Sequence, residues 1–204
     1  MLSAGKKVLL LKYLIHLGCL GSIGWLYQAA WQDTLGPDPV ERVIHFCGIA
    51  SLNMLLLTLC VSPLAKHFKA GWLMQTRRLL GLYAAFFALL HVVNYWVFEL
   101  ALSVDMFVSE LIKRPYIWVG MLALSIFSAL SVTSINNIRR RMGRNWQRLH
   151  NLIYPLLLLV IWHFYWSVKA NVSEPIFYGL FALVLMLIRI PNRLNFSLVK
   201  RPNK

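Results

Sequence analysis

Histidines are the residues of this chain whose positions suggest chemistry. There are six, His16, His45, His67, His91, His150 and His163, and most fall in or against long apolar runs. An imidazole in hydrocarbon is costly unless its ring nitrogens are satisfied, so each such ring needs a partner. His91 lies thirteen residues beyond Arg78 and His163 fifteen beyond Arg148. At about 1.5 Å per helical residue both sit ~20 Å along their runs, at one depth. Two histidines at matching depth on parallel helices are what a bis-histidine b-type heme needs, one imidazole on each face of the iron.

His150 lies only two residues beyond Arg148, at the end of its run. An ideal helix turns His150 and His163 about 140° apart, so an undistorted helix does not aim both at one axis. Pro155 lies between them, cannot donate to the carbonyl of Asn151, and predicts a kink there. The spacing leaves two readings open: two ligands, or one ligand and one interfacial histidine. His16 could complete an inner site with His150 or simply pack. His45 opens a run at an interface, and His67 stands beside Lys66 and Lys69 in a solvated loop.

The elements that position these rings follow from composition. Of 204 residues, 59% are hydrophobic and only 14% charged, well below the quarter usual in soluble domains. The apolar residues form six continuous blocks, near residues 8–30, 44–64, 79–98, 115–135, 149–168 and 175–190. Most approach the ~20 residues of a spanning helix, and their continuity excludes the alternation of a transmembrane barrel. The expected fold is therefore an all-α polytopic membrane protein, a six-helix bundle forming one domain over residues 1–204. With a cytoplasmic N-terminus, 17 of the 21 basic residues fall in inner segments. Only Arg42, Lys113, Arg114 and Lys169 fall outside, together with all seven acids: Asp33, Asp38, Glu41, Glu99, Asp105, Glu110 and Glu174. This positive-inside pattern puts both termini in the cytoplasm and explains the net charge of +14 without nucleic acid. The first block has a basic start but no small-x-small cleavage site, so it is read as an uncleaved span.

Other signals narrow the chemistry. Cys19, Cys47 and Cys60 lack Cys-x-x-Cys spacing, which argues against zinc, an iron–sulfur cluster or covalent heme. No glycine-rich phosphate loop or soluble domain is present. Gly81, Ala84, Ala85 and Ala88 form a small-residue stripe leading to His91, suited to a macrocycle wall or to a close helix neighbour. Trp25, Trp31, Trp96, Trp118, Trp162 and Trp166 gather toward the outer interface as an aromatic belt.

The stretches Leu35-Gly-Pro-Asp-Pro-Val, Arg77-Arg-Leu-Leu-Gly-Leu, Leu90-His91, Arg114-Pro-Tyr, Trp146-Gln-Arg-Leu-His150-Asn and His163-Phe-Tyr-Trp-Ser-Val-Lys169 run in order along nearly the whole chain. In these it resembles the ferric-reductase-like transmembrane family. More narrowly, it resembles the heme-binding membrane subunits of bacterial periplasmic methionine sulfoxide reductase systems. The resemblance implies His91, His150 and His163 as axial ligands of heme b iron in a bacterial inner-membrane protein. It implies electron transfer from the quinone pool or a cytoplasmic flavin donor to a periplasmic molybdenum-containing (molybdopterin) reductase. That partner would reduce methionine sulfoxide in oxidised proteins, so this chain would be an electron-transfer subunit. FMN is also associated with the family, its phosphate suited to Arg77, Arg78 or Arg148. One departure stands out: Arg78 occupies the position thirteen before His91, where a second ligand histidine is expected. The competing readings are a self-contained ferric or flavin-linked reductase and a small proton-coupled transporter using membrane histidines. The transporter reading is weakened because no acid lies within a span to pair with them.

Overall fold

A computed structural model describes residues 3–168 and 172–198 of the chain. Lys169, Lys200, Arg201 and Lys204, counted among the charges above, lie outside the described residues. Nine α-helices follow one another and no strand occurs among the described residues. They are α1 (Ala4–Trp31), α2 (Pro39–His67), α3 (Arg77–Asn94), α4 (Val104–Lys113), α5 (Pro115–Val132), α6 (Asn136–Met142), α7 (Arg144–His150), α8 (Ile153–Ser167) and α9 (Ser173–Leu198). A 3-10 turn, Gly71–Thr76, leads into α3, and a π segment, Tyr95–Glu99, continues it.

Five helical stretches among the described residues are long and apolar enough to cross a membrane: Ala4–Trp31, Pro39–His67, Gly71–Glu99, Pro115–Val132 and Arg144–Ser167. They match the first five predicted blocks, and the sixth block lies inside α9. Local chemistry sets their ends. Asp38 caps α2 by accepting from the Glu41 amide at 2.8 Å, with Pro39 at the first turn. Pro115 likewise opens α5.

At the predicted kink near Pro155 the α-helix is interrupted for two residues, Asn151 and Leu152, which stay in the right-handed helical region. Helix α7 ends at His150 and α8 begins at Ile153. The carbonyl of Asn151, which Pro155 cannot bond, accepts instead from the Tyr154 amide at 3.2 Å. The helical register then resumes with Leu156 N–H to Leu152 at 2.9 Å.

The core gathers residues from five helices. Leu52, Leu55, Leu56 and Leu59 of α2 meet Ala84 of α3, Ala123 and Phe127 of α5, Leu156 and Leu157 of α8, and Ala182 and Leu185 of α9. Helix α1 flanks this body, touching it through Cys19 against Tyr83 and Phe87, and Leu26 against Val43 and Cys47. All three cysteines are free, as their spacing suggests. Leu9, Leu10, Leu14, Leu17 and Leu20 of α1 point outward, which is the expected finish of a lipid-facing helix.

Sequence periodicity missed α4, in the outer loop after the third span. Ser103 caps it by accepting from the Met106 amide at 3.2 Å, Asp105 occupies its first turn and Lys113 its last. Val104, Met106, Val108 and Ile112 are exposed on it, the pattern of a helix lying in a membrane interface.

The Leu156 side chain is fully enclosed. Leu156→Ala should destabilise the bundle by about 2 kcal/mol, the low end for soluble cores, because the unfolded helices also stay in an apolar medium. Thermal unfolding in detergent checks this; an unchanged midpoint would show that the packed core does not hold the bundle together.

Candidate functional site

Helices α3 and α8 bring His91 and His163 together, with ring centroids 6.2 Å apart and planes at 87°. The equal depth inferred from the sequence is therefore realised. A metal shared by two imidazole nitrogens at about 2 Å each, with ~1 Å more to each ring centre, separates centroids by about 6 Å. The observed pair has that spacing. Among the described residues no group of three or more His, Cys, Asp or Glu is placed to hold a metal ion. Two histidines suffice for an iron already held in a macrocycle, so this donor set fits heme and not a protein-only metal site.

Each ring is oriented by the same device. His91 donates from Nδ1 to the carbonyl of Ile44 at 2.9 Å, and His163 donates from Nδ1 to the carbonyl of Tyr116 at 2.8 Å. A carbonyl can only accept, so both rings carry the proton on Nδ1 and keep the lone pair on Nε2. That is the form an axial ligand needs, and backbone carbonyls commonly fix ligating histidines in this way.

One turn beyond each carbonyl stands a glycine. A Cβ at Gly48 would lie 3.2 Å from His91 Nδ1, and one at Gly120 would lie 2.8 Å from His163 Cε1 and 2.9 Å from its Nδ1. Hydrogen at these positions lets each ring lie against the backbone of the neighbouring helix. Positions 44, 48 and 91 recur at 116, 120 and 163, each 72 residues later. The α2–α3 and α5–α8 pairs thus build one half-site twice. Sequence reading found the two histidines but missed Gly48 and Gly120. The signal was available as equal spacing, since both glycines precede their histidines by the same interval.

The end of the site toward α4 is tied down by polar groups. Buried Asn94, one turn after His91, accepts from the Tyr27 hydroxyl at 2.8 Å and donates to Cys47 Sγ at 3.5 Å. The π segment begins at the next residue, a geometry frequent beside functional sites. Glu110 pairs with Arg114 at 2.6 Å, and Arg114 donates to the Tyr116 hydroxyl at 3.3 Å. That hydrogen bond, outweighing partial burial and helped by nearby Glu110, holds the Arg114 guanidinium above its ordinary range. Tyr116 is the residue whose carbonyl orients His163, so the α4–α5 junction braces the turn that holds that ring.

The other candidates are placed elsewhere. His150 is not beside the pair; its ring stacks on Trp146 at 4.0 Å and its Nε2 lies 3.1 Å from Thr133 Oγ1. Thr133 has one hydroxyl proton, given to the Ala129 carbonyl at 2.6 Å, so it accepts from His150 Nε2–H. His150 is therefore held in the opposite tautomer. His16 turns to the Tyr83 hydroxyl at 2.5 Å, and His67 packs edge-on against Phe68. His45 lies 4.0 Å from Glu174 and edge-on to Phe164. Of the arginines considered for a flavin phosphate, Arg78 donates to Asn136 at 3.1 Å. The small-residue stripe serves helix packing: Ser51 of α2 donates to the Ala84 carbonyl at 2.8 Å, and Gly81 faces Thr58. The belt tryptophans are exposed, Trp31 most of all at 92%.

Comparison with known proteins gives the family of the chain. Residues 46–161 match the family described as the ferric reductase like transmembrane component. The protein-methionine-sulfoxide reductase heme-binding subunit MsrQ of Cronobacter sakazakii is 41% identical over 185 residues, covering 90% of this chain and 92% of the relative. The MsrQ subunit of Pectobacterium atrosepticum is 42% identical over 180 residues, covering 88% and 90%. That of Klebsiella pneumoniae subsp. pneumoniae is 40% identical over 185 residues, covering 90% and 92%. The chain is thus a multi-pass bacterial inner-membrane protein, and it belongs to the ferric-reductase-like transmembrane family, in the group of MsrQ heme-binding subunits.

Proposed function

We propose that this chain is an electron-transfer subunit in which His91 and His163 are the axial ligands of a heme b. The observation that carries the reading is the ring pair at 6.2 Å, with both Nδ1 atoms committed to backbone carbonyls. When bound, heme supplies one-electron chemistry between ferric and ferrous iron. The protein's part is to keep both Nε2 atoms unprotonated and aimed, through Ile44 and Gly48 on one side and Tyr116 and Gly120 on the other.

The bundle in this reading has six spans, α9 supplying the last, with both termini cytoplasmic and the histidine pair in the outer leaflet. The charge distribution supports that orientation. Iron so placed lies near the periplasmic surface, within reach of a docked partner. The relatives are named as subunits of a protein-methionine-sulfoxide reductase. For this chain the partner is accordingly a periplasmic molybdopterin-containing catalytic subunit that reduces methionine sulfoxide. The donor is quinol or a reduced flavin on the cytoplasmic side. The seven acids against four basic residues of the outer segments suit a partner with a basic docking patch. His150 is the ligand-capable residue of the opposite end, and its Nε2 has to leave Thr133 before it can meet a metal through that atom.

His91→Ala and His163→Ala should each bring the heme content of purified protein close to zero in a pyridine hemochrome assay. Full occupancy in both variants would remove the pairing. His150→Ala should leave the outer-site spectrum intact, and any drop in heme per chain would count a second, inner heme.

Gly120→Ala should weaken heme retention about tenfold or more, because the added methyl drives His163 off its carbonyl. Gly48→Ala, with a looser contact, should do less; a larger loss at Gly48 than at Gly120 would contradict the cradle. For topology, a single cysteine replacing Lys113 should react with an impermeant thiol reagent from the periplasm, and one replacing Arg141 should not. The reverse labelling would invert the bundle.

A further inference from the structure

The carboxylate of Glu110, on α4, gathers groups from three helical elements. Its Oε2 pairs with Arg114 Nε at 2.6 Å, against 4.0 Å for the His45–Glu174 pair. The same oxygen accepts a longer hydrogen bond from the Tyr95 hydroxyl at 3.4 Å. Arg114 in turn donates to the Tyr116 hydroxyl at 3.3 Å. The last turn of α4 is also fastened to α5, because Trp118 Nε1 donates to the Leu111 carbonyl at 3.0 Å. The Glu110 side chain is only 18% exposed, so this is not a freely solvated acid.

The two tyrosines belong to different half-sites. Tyr95 follows His91 by one turn, and its amide donates to the His91 carbonyl. Tyr116 stands in the first turn of α5, and its carbonyl accepts from His163 Nδ1 at 2.8 Å. Glu110 therefore joins the end of the helix that carries one ring to the turn that holds the other. An ion pair four residues apart that served α4 alone would support that helix weakly. The hydroxyls of Tyr95 and Tyr116, one on each partner of the pair, are what such a role leaves unexplained. Charge-assisted hydrogen bonds outweigh neutral ones, and a connected network away from water is stiffer than its separate bonds.

We propose that Glu110 is a positioning residue for the His91–His163 pair, fixing the end of α3 and the start of α5 against each other and with them the angle between the two rings. It acts through Tyr95, Arg114 and Tyr116, not as a ligand. The proposal rests on the bis-histidine heme reading given above. The ring planes stand at 87°. In a ferric low-spin heme, the angle between two axial imidazole planes sets the anisotropy of the EPR signal. Near-perpendicular planes give one very large g value, and near-parallel planes give the ordinary rhombic set. The spectrum thus reads ring orientation without reference to electron-transfer activity.

The test uses full-length protein purified with its natural heme, with two readouts: the ferric EPR spectrum and the rate of heme transfer to excess apomyoglobin. Wild type should show the strongly anisotropic signal. Glu110→Ala should move it toward the rhombic form and speed heme loss roughly tenfold. Glu110→Gln, which keeps an acceptor oxygen at the same reach, should restore part of both. Arg114→Ala should match Glu110→Ala, and the double variant should be no worse than either, because members of one network do not act additively. Asp105→Asn, at an exposed acid in the first turn of the same helix, should behave as wild type. If Glu110→Ala does not fold, Glu110→Gln and Tyr116→Phe, which removes only the hydroxyl that Arg114 reaches, decide by the same readouts. A lower unfolding midpoint with unchanged spectrum and unchanged heme loss would mark a merely structural ion pair and overturn the proposal. So would a rhombic signal in wild type, or additive losses in the double variant. Full heme in both His91→Ala and His163→Ala overturns the pairing itself. Failure of the Glu110 proposal alone looks different: the histidine variants lose heme while the Glu110 variants keep the wild-type spectrum and retention.

Discussion

An imidazole has two nitrogens, and in a membrane neither can be left to water. Everything at the outer end of this bundle follows from how that constraint is met. One nitrogen of His91 and one of His163 are spent on backbone carbonyls of the adjacent helices, at 2.9 and 2.8 Å. The carbonyls are available because long side chains are absent one turn later, at Gly48 and Gly120. A helix carbonyl already accepts within its own helix, but its second lone pair is free to take a bond from the side. The price of leaving the other nitrogen open is then confined to one atom per ring. The two rings so held stand with their centroids 6.2 Å apart, the spacing that the proposed bis-histidine heme needs.

The same constraint governs charge. The chain keeps its seven acids at positions 33–41, 99–110 and 174, apart from most of its bases, and among the described residues only Arg114 and His45 pair with a carboxylate. At the outer end the acids are used structurally, Glu110 gripping Arg114, which reaches Tyr116 and so the turn that holds His163. At the opposite end Arg189 donates to the Tyr154 hydroxyl and to the Leu59 carbonyl, and neither its Nε nor that of Arg77 has a hydrogen-bond partner among the described residues. Charge segregation thus leaves these arginines without a carboxylate partner among the described residues, where the starts of α3 and α8 meet the sides of α2 and α9.

Much of this was legible in the sequence because it depends on one-dimensional quantities. Block length gave the helices, and residue count from the flanking arginines placed His91 and His163 at one level. The break before α8 was visible as Pro155, although its form was not: a proline says which hydrogen bond is lost, and packing decides whether the helix bends or stops. Helix α4 escaped because ten residues of mixed polarity carry no span signal, and its start is fixed locally by the cap at Ser103. The stripe from Gly81 to Ala88 was ambiguous for a physical reason. Small residues admit any flat neighbour, and here α2 occupies the space, bonding through Ser51 to Ala84. Gly48 and Gly120 went unread because a glycine in a span has many uses, and only the three-dimensional contact with a ring selects one.

The 72-residue repeat also explains why the two ends of the bundle differ. Carried across the repeat, His91 falls on His163, while Arg78 falls on His150. The outer level is therefore symmetric, with two histidines in one tautomer, two carbonyls and two glycines. The inner level is broken. His150 holds its proton on Nε2 toward Thr133, and its counterpart Arg78 bonds Asn136. A repeated hairpin brings like residues to opposite sides of one centre, so symmetry at a level is what a bis-histidine centre requires. Loss of that symmetry at the inner level removes the matched pair and leaves a cationic surface in its place. The architecture thus gathers the matched histidines, carbonyls and glycines at one end of the bundle, while at the other His150 and Arg78 are held apart by different partners.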